Sequence, residues 1–241
     1  MSGLRGIFFD IDDTLYSTTE FARKARRASV ERMVQLGLKT DVESCLKELD
    51  EVIAEFSANH GQHFDKLIAR LGPGAVGNLN PAVLVAAAVM AYHATKERDL
   101  VPFPGVVEVF RKLATTKLLV GVITEGLAVK QAEKLLRLGL HPYVTPAAIF
   151  ISDQIGISKP NPKLFSRALD ATGIPAPEAI YVGNRATHDV DPPAALGMRT
   201  VLFERGGKYS GLPGKAKPDY VIRNFQELLP ILETDFAVAF G

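Results

Sequence analysis

The chain has 241 residues, 47% hydrophobic and 23% charged, with a net charge of +1 and a single cysteine. That length suits one large domain or a core domain carrying a smaller insert, and the composition is that of a globular protein. The near-zero charge argues against a nucleic-acid-coating surface, and the lone Cys45, in an apolar helical context, excludes an internal disulfide and a cysteine-built zinc site.

Segment 5–11 (RGIFFDI) is short, apolar and rich in β-formers and ends at an acidic cluster, which predicts a buried strand running into a loop. The acids Asp10, Asp12 and Asp13 interrupt this stretch too early for a signal peptide. From 18 to about 93 the rhythm changes. Segments 22–36, 42–60 and 64–71 carry apolar residues at helical spacing, punctuated by Gly37, Gly61 and Gly72-Pro73-Gly74. They predict a block of about four helices inserted after the first strand. The longest apolar run, 82–91, is too short to span a bilayer, so no membrane partner and a cytoplasmic, reducing setting are expected.

Alternation returns after Pro102 and Pro104. Segment 118–124 (LLVGVIT) predicts a strand, 130–138 an amphipathic helix, 148–152 (AIFIS) a strand and 162–172 a helix closed by Gly173. Segment 179–182 (AIYV) predicts a strand, and 190–196 a helix with Pro192 and Pro193 in its first turn. Segments 199–203 and 219–222 are the last strands, and 225–232 the last helix. Strands alternating with helices predict a parallel sheet with right-handed crossovers.

Ligands of such sheets bind outside the carboxyl ends of the strands. Asp10, Asp12 and Thr14 follow the first predicted strand, and Thr124, Glu125 and Gly126 close the second. Lys159 lies in the loop after the third, and Asn184 and Asp189 follow the fourth. Asp10 and Asp12, two residues apart, point to one side, and paired carboxylates need a cation or a shared proton. A magnesium ion with oxygen ligands would satisfy them.

Phosphoryl transfer through an aspartyl phosphate needs a carboxylate nucleophile, a proton donor for the leaving oxygen, and positive charge on the phosphoryl oxygens. Asp10 suits the first task and Asp12 the second. Thr124, with the N–H groups of Glu125 and Gly126, and Lys159 suit the third, and Asn184 and Asp189 offer oxygens to the metal. Singly, these residues read as turn caps, a strand-end threonine and a surface lysine; their common rim carries the functional reading.

The segments FFDIDDTL, VITEG, SKPNPKLF and YVGNRATHDV, in that order along nearly the whole chain, resemble the four motifs of the haloacid-dehalogenase-like hydrolase superfamily. The resemblance implies an α/β fold: a Rossmann-like parallel-sheet core (1–17 and 101–241) with an inserted all-helical C1-type cap (18–100), hinged at 16–19 and 101–105. It implies magnesium-dependent hydrolysis of a small phosphorylated metabolite. Asp10 would be nucleophile and metal ligand, and Asp12 the acid/base, giving the metal its backbone carbonyl. Thr124 and Lys159 would hold the phosphoryl group. Asn184 departs from the pattern, standing where most members carry a metal-binding aspartate; weaker metal binding is expected, with Asp189 as a substitute ligand. YSTTEFARKARRA, YHATKE and FPGV look like a group of archaeal phosphatases in the superfamily, some acting on glyceraldehyde 3-phosphate.

Two other readings compete. Carbon–halogen hydrolysis needs neither Asp12 nor magnesium, and the Asn184 departure could mark a member that only binds a phosphorylated ligand. His60, His63 and His93, the cluster Arg23, Lys24, Arg26 and Arg27, and the loop 206–208 read as structural or solvated features. Oligomeric state is not encoded legibly, and a homodimer stays open.

Overall fold

The computed structural model describes residues 3–57, 60–205, 209 and 211–241. The chain divides into two compact units, Met1–Thr18 with Val101–Gly241, and Thr19–Leu100.

The first unit is built on a six-stranded sheet, β1 (Gly6–Phe9), β2 (Leu119–Thr124), β3 (Ile149–Ile151), β4 (Ala179–Gly183), β5 (Arg199–Phe203) and β6 (Tyr220–Ile222), in the order β3-β2-β1-β4-β5-β6. Every pairing is parallel. β1 and β4 are buried along their whole length, which explains their unbroken runs of apolar and β-branched residues. The chain leaves β1 toward β2 and β3 on one side and returns through β4 on the other. The gap between β1 and β4 is therefore the switch point where such sheets hold ligands.

One side of the sheet packs Phe8, Ile123 and Tyr181 against Leu164, Phe165 and Ala168 of α8 (Lys163–Thr172). The remaining helices of this unit are α5 (Val106–Leu113), α6 (Ala128–Arg137), α7 (Ser152–Ile155), α9 (Asp191–Ala195) and α10 (Leu228–Phe236).

The second unit holds α1 (Thr18–Gln35, which begins at the last residue of the first unit), α2 (Val42–Phe56), α3 (His63–Val76) and α4 (Pro81–Asp99). Val30, Met33, Cys45, Leu49, Leu67 and Leu84 form its core. Burial pushes the Cys45 thiol up to about 11, so it is an inert packing group. Asp41 and Asn80 cap α2 and α4 by accepting the N–H groups of Ser44 and Ala82. Among the described residues no helix is long and apolar enough to cross a membrane.

The structure adds detail at three places. Between Pro104 and the second strand, where no element was assigned, Val106, Val109, Phe110 and Leu113 are the buried face of helix α5. Helix α3 does not end at Leu71. It kinks at Gly72, whose φ of 72° is open to glycine, and resumes with Pro73. A one-turn π-helical stretch, Ala186–Val190, precedes α9, so coiling begins ahead of the predicted helix 190–196.

Candidate active site

Each candidate residue of the rim belongs to the first unit. Asp10 directly follows β1, and its N–H donates to Val182 O of β4 at 2.9 Å, which pins it at the switch point. Lys159, in the loop between α7 and α8, reaches back to it: Nζ lies 2.8 Å from Asp10 Oδ1 and 2.7 Å from Asp189 Oδ1. The three side chains are buried, Asp10 at 5% exposure, Lys159 at 7% and Asp189 at 1%. Tyr181 of β4 completes the ammonium's surroundings at 3.3 Å, while its hydroxyl donates to Ile123 O of β2 at 2.7 Å.

One ammonium between two buried carboxylates leaves a net negative charge away from water. Burial, with the Asp189 charge, pushes the Asp10 carboxyl up to about 6 although Lys159 opposes the shift. Lys159 is driven well above its ordinary value: burial alone would lower it, but the two carboxylates outweigh that.

Asp189 is held from the other side as well. Its Oδ2 accepts the N–H groups of Asn184 at 3.1 Å and Arg185 at 2.9 Å. Gly183 makes this close return of the chain feasible, since a Cβ there would lie 2.4 Å from Asp189 Cβ. Both Asp189 oxygens are therefore engaged, and direct metal ligation would require displacing one of these donors. Asn184 Oδ1 accepts a long bond from Thr14 Oγ1, at 3.3 Å.

Thr124, the last residue of β2, is fully buried, and its hydroxyl finds no hydrogen-bond partner among the described residues. A buried orphan hydroxyl at a strand end calls for a missing partner. The Gly126 N–H, expected to face a phosphoryl group beside Thr124, instead donates to Ser152 Oγ at 2.9 Å.

Asp12 turns to the helix after β2. Lys134 Nζ lies 2.6 and 2.7 Å from its two carboxylate oxygens, and Gln131 Nε2 donates to Oδ2 at 2.9 Å. Tyr16 OH and Thr18 Oγ1 donate to Oδ1 at 2.7 and 3.0 Å. Burial alone would raise the Asp12 carboxyl, but Lys134 and these donors hold it below the usual carboxylate range. Lys134, Gln131 and Tyr181 were absent from the sequence-based site. Gln131 and Lys134 stand three apart on one face of α6, a spacing visible in the sequence, but nothing there names Asp12 as their common partner.

The candidate basic cluster and histidines belong to the second unit. Lys24, Arg26 and Arg27 pair with Glu20, Asp50, and Glu31 and Glu43. His60 packs on Phe56, and His63 Nε2 lies 2.8 Å from Ser57 O. No group of three or more His, Cys, Asp or Glu side chains is placed to hold a metal among the described residues. Gly206, Gly207 and Lys208 lie outside the described residues.

The family model of haloacid dehalogenase-like hydrolases matches residues 7–203. A glyceraldehyde 3-phosphate phosphatase of Methanopyrus kandleri is 41% identical over 95% of this chain and 97% of its own. One of Methanocaldococcus jannaschii is 36% identical over the same shares. Among solved structures, a HAD phosphatase from Thermococcus onnurineus superposes with a TM-score of 0.65 at 21% identity, over 95% of this chain and 98% of its own. The HAD-hydrolase YfnB from Bacillus subtilis, bound to magnesium, gives 0.64 at 21% identity, over 96% and 100%. The two structures share the fold. The chain belongs to the haloacid dehalogenase-like hydrolase family, and it is a phosphatase of that family.

Proposed function

We propose that the chain hydrolyses small phosphate monoesters through an aspartyl phosphate on Asp10. The observation that carries this is the Lys159 ammonium fixed between Asp10 and Asp189, with the orphan hydroxyl of Thr124 at the end of β2, the strand paired with β1. The Asp10 oxygen not held by Lys159 attacks phosphorus in line, and the ester P–O bond breaks. Asp12 takes up a proton from solvent as the negative charge of the bound phosphate raises its carboxyl, and passes it to the leaving oxygen. Asp12, now a base, takes a proton from water, whose oxygen attacks phosphorus and breaks the P–O bond to Asp10. Lys159 and Thr124 hold phosphoryl oxygens through both steps.

The donor set fits magnesium. All available donors are hard oxygens, the site carries an uncompensated negative charge, and magnesium is commonly held by one or two carboxylates with several waters retained. The Asp10 carboxylate, the Asn184 carbonyl oxygen and the Asp12 backbone carbonyl would hold it. When bound, it would supply positive charge to the transferring phosphoryl group. Asp189 is assigned a different task, that of orienting Lys159.

The curated relatives named as glyceraldehyde 3-phosphate phosphatases support a triose phosphate as substrate. The helical unit Thr19–Leu100 is assigned the role of the cap implied by the family resemblance. A p-nitrophenyl phosphate assay with magnesium varied tests the core of this reading: turnover should require the metal and vanish in Asp10→Asn. Undiminished turnover in Asp10→Asn would contradict it.

A further inference from the structure

The acid/base role of Asp12 leaves one feature unexplained. A carboxylate at the end of a strand, two residues from another buried carboxylate, should swing away from it. Here it is fixed by hydrogen bonds from four side chains, two of them on α6. Gln131 and Lys134 are three apart and project from one face of that helix. Gln131 is 3% exposed, and its Nε2 is shared between Asp12 Oδ2 and Glu125 O at 2.8 Å. Gly126 leaves the space it occupies, since a Cβ there would lie 2.5 Å from Nε2. The Lys134 ammonium lies 5.9 Å from the ring centroid of Tyr16, whose hydroxyl also reaches Asp12. Backbone and side chains on two separate segments thus build one socket for one carboxylate.

We infer that Lys134, steadied by Gln131, is a positioning residue for leaving-group protonation, holding the Asp12 carboxyl group in one place and orientation. The inference rests on the phosphatase reading above. A proton donor is effective only when fixed at the reacting oxygen, and its contribution grows with the basicity of the leaving group. Loss of Lys134 should therefore hurt a basic leaving group most, whereas a general structural defect would slow all esters alike.

The test compares kcat/KM for phenyl phosphate and p-nitrophenyl phosphate, which are close in shape but differ greatly in leaving-group basicity. In Lys134→Met the loss with phenyl phosphate should exceed that with p-nitrophenyl phosphate by about tenfold or more, part of what a general acid contributes. Lys134→Arg should restore the ratio, and competitive inhibition by inorganic phosphate should change less than about twofold. Equal losses with both esters, unchanged rates, or faster hydrolysis of phenyl phosphate would overturn the inference. If Lys134→Met does not fold, Lys134→Gln, which keeps a polar side chain without the charge, is read by the same ratio. An inactive wild-type chain, or full activity in Asp10→Asn, would instead bring down the phosphatase reading and this inference with it. An active, Asp10-dependent chain lacking the selective loss brings down the inference alone.

Discussion

The Lys159 ammonium lies 2.7 Å from Asp189, as close as it lies to Asp10 at 2.8 Å. Asp189 is thus the group that aims Lys159, and it is itself aimed by two backbone N–H donors and by the missing side chain of Gly183. Asp189→Asn should lower kcat by about 10- to 100-fold, the usual loss when a supporting partner is removed. Gly183→Ala should do the same and also destabilise the fold by about 1–3 kcal/mol, because Cβ and the Asp189 side chain compete for one space. Urea unfolding and steady-state kinetics on both variants check this.

A second prediction follows from the two-to-one charge balance. Burial raises the Asp10 carboxyl to about 6, above its ordinary value of 3.8. A carboxyl raised on folding contributes stability that is full below about pH 4 and lost as pH rises through about 6. Metal-free wild type should therefore gain stability as pH falls through that window. Asp10→Asn should lack the gain and, at pH 7, unfold later than wild type by up to about 3 kcal/mol, two pKa units at 1.36 kcal/mol each. Denaturant midpoints in EDTA from pH 4 to 8 measure both.

In the proposed metal shell, Asn184 would supply a neutral oxygen where a charge would bind a divalent ion better. Asn184→Asp should lower the magnesium concentration for half-maximal activity by about tenfold, since charge count tunes affinity at oxygen sites. A magnesium titration of initial rates gives the answer; an unchanged midpoint would remove Asn184 from the metal shell.

Remote from the site, Asp219 ties β5 to the segment before β6. Its Oδ2 accepts the N–H and hydroxyl of Thr200 at 2.8 and 3.0 Å, and Oδ1 accepts from Arg199 at 3.0 Å. Burial opposes the shift, but these donors hold the carboxyl below its ordinary range. A depressed carboxyl contributes stability present above about pH 4 and lost as pH falls through its folded value. Asp219→Asn should cost about 1 kcal/mol at pH 7 and progressively less toward pH 2, read from urea midpoints.

The sheet and its acidic rim were legible because β1, β2 and β4 are buried on both faces and write their burial as unbroken apolar runs ending in polar clusters. Helix α5 was equally written, with Val106, Val109, Phe110 and Leu113 at helical spacing, but its eight residues are short enough to read either way between prolines. Helix α3 was cut short because Gly72-Pro73-Gly74 reads as a stop, although proline in a first turn also starts helices. In the candidate site, Asp10, Thr124 and Lys159 were singled out by their places at or after strand ends. Tyr181 lay within the predicted strand 179–182, and Gln131 and Lys134 within the predicted helix 130–138, with nothing to single them out. Their roles exist only in contacts spanning from 22 to 122 residues of chain.

The most direct test of the account is an acid-quenched single turnover with p-nitrophenyl phosphate and magnesium, followed by peptide mapping of the protein. The account predicts a transient phosphoryl adduct on the peptide carrying Asp10, formed as nitrophenolate is released and absent in Asp10→Asn. Nitrophenolate release with no adduct at any time, or an adduct on another residue, would contradict it.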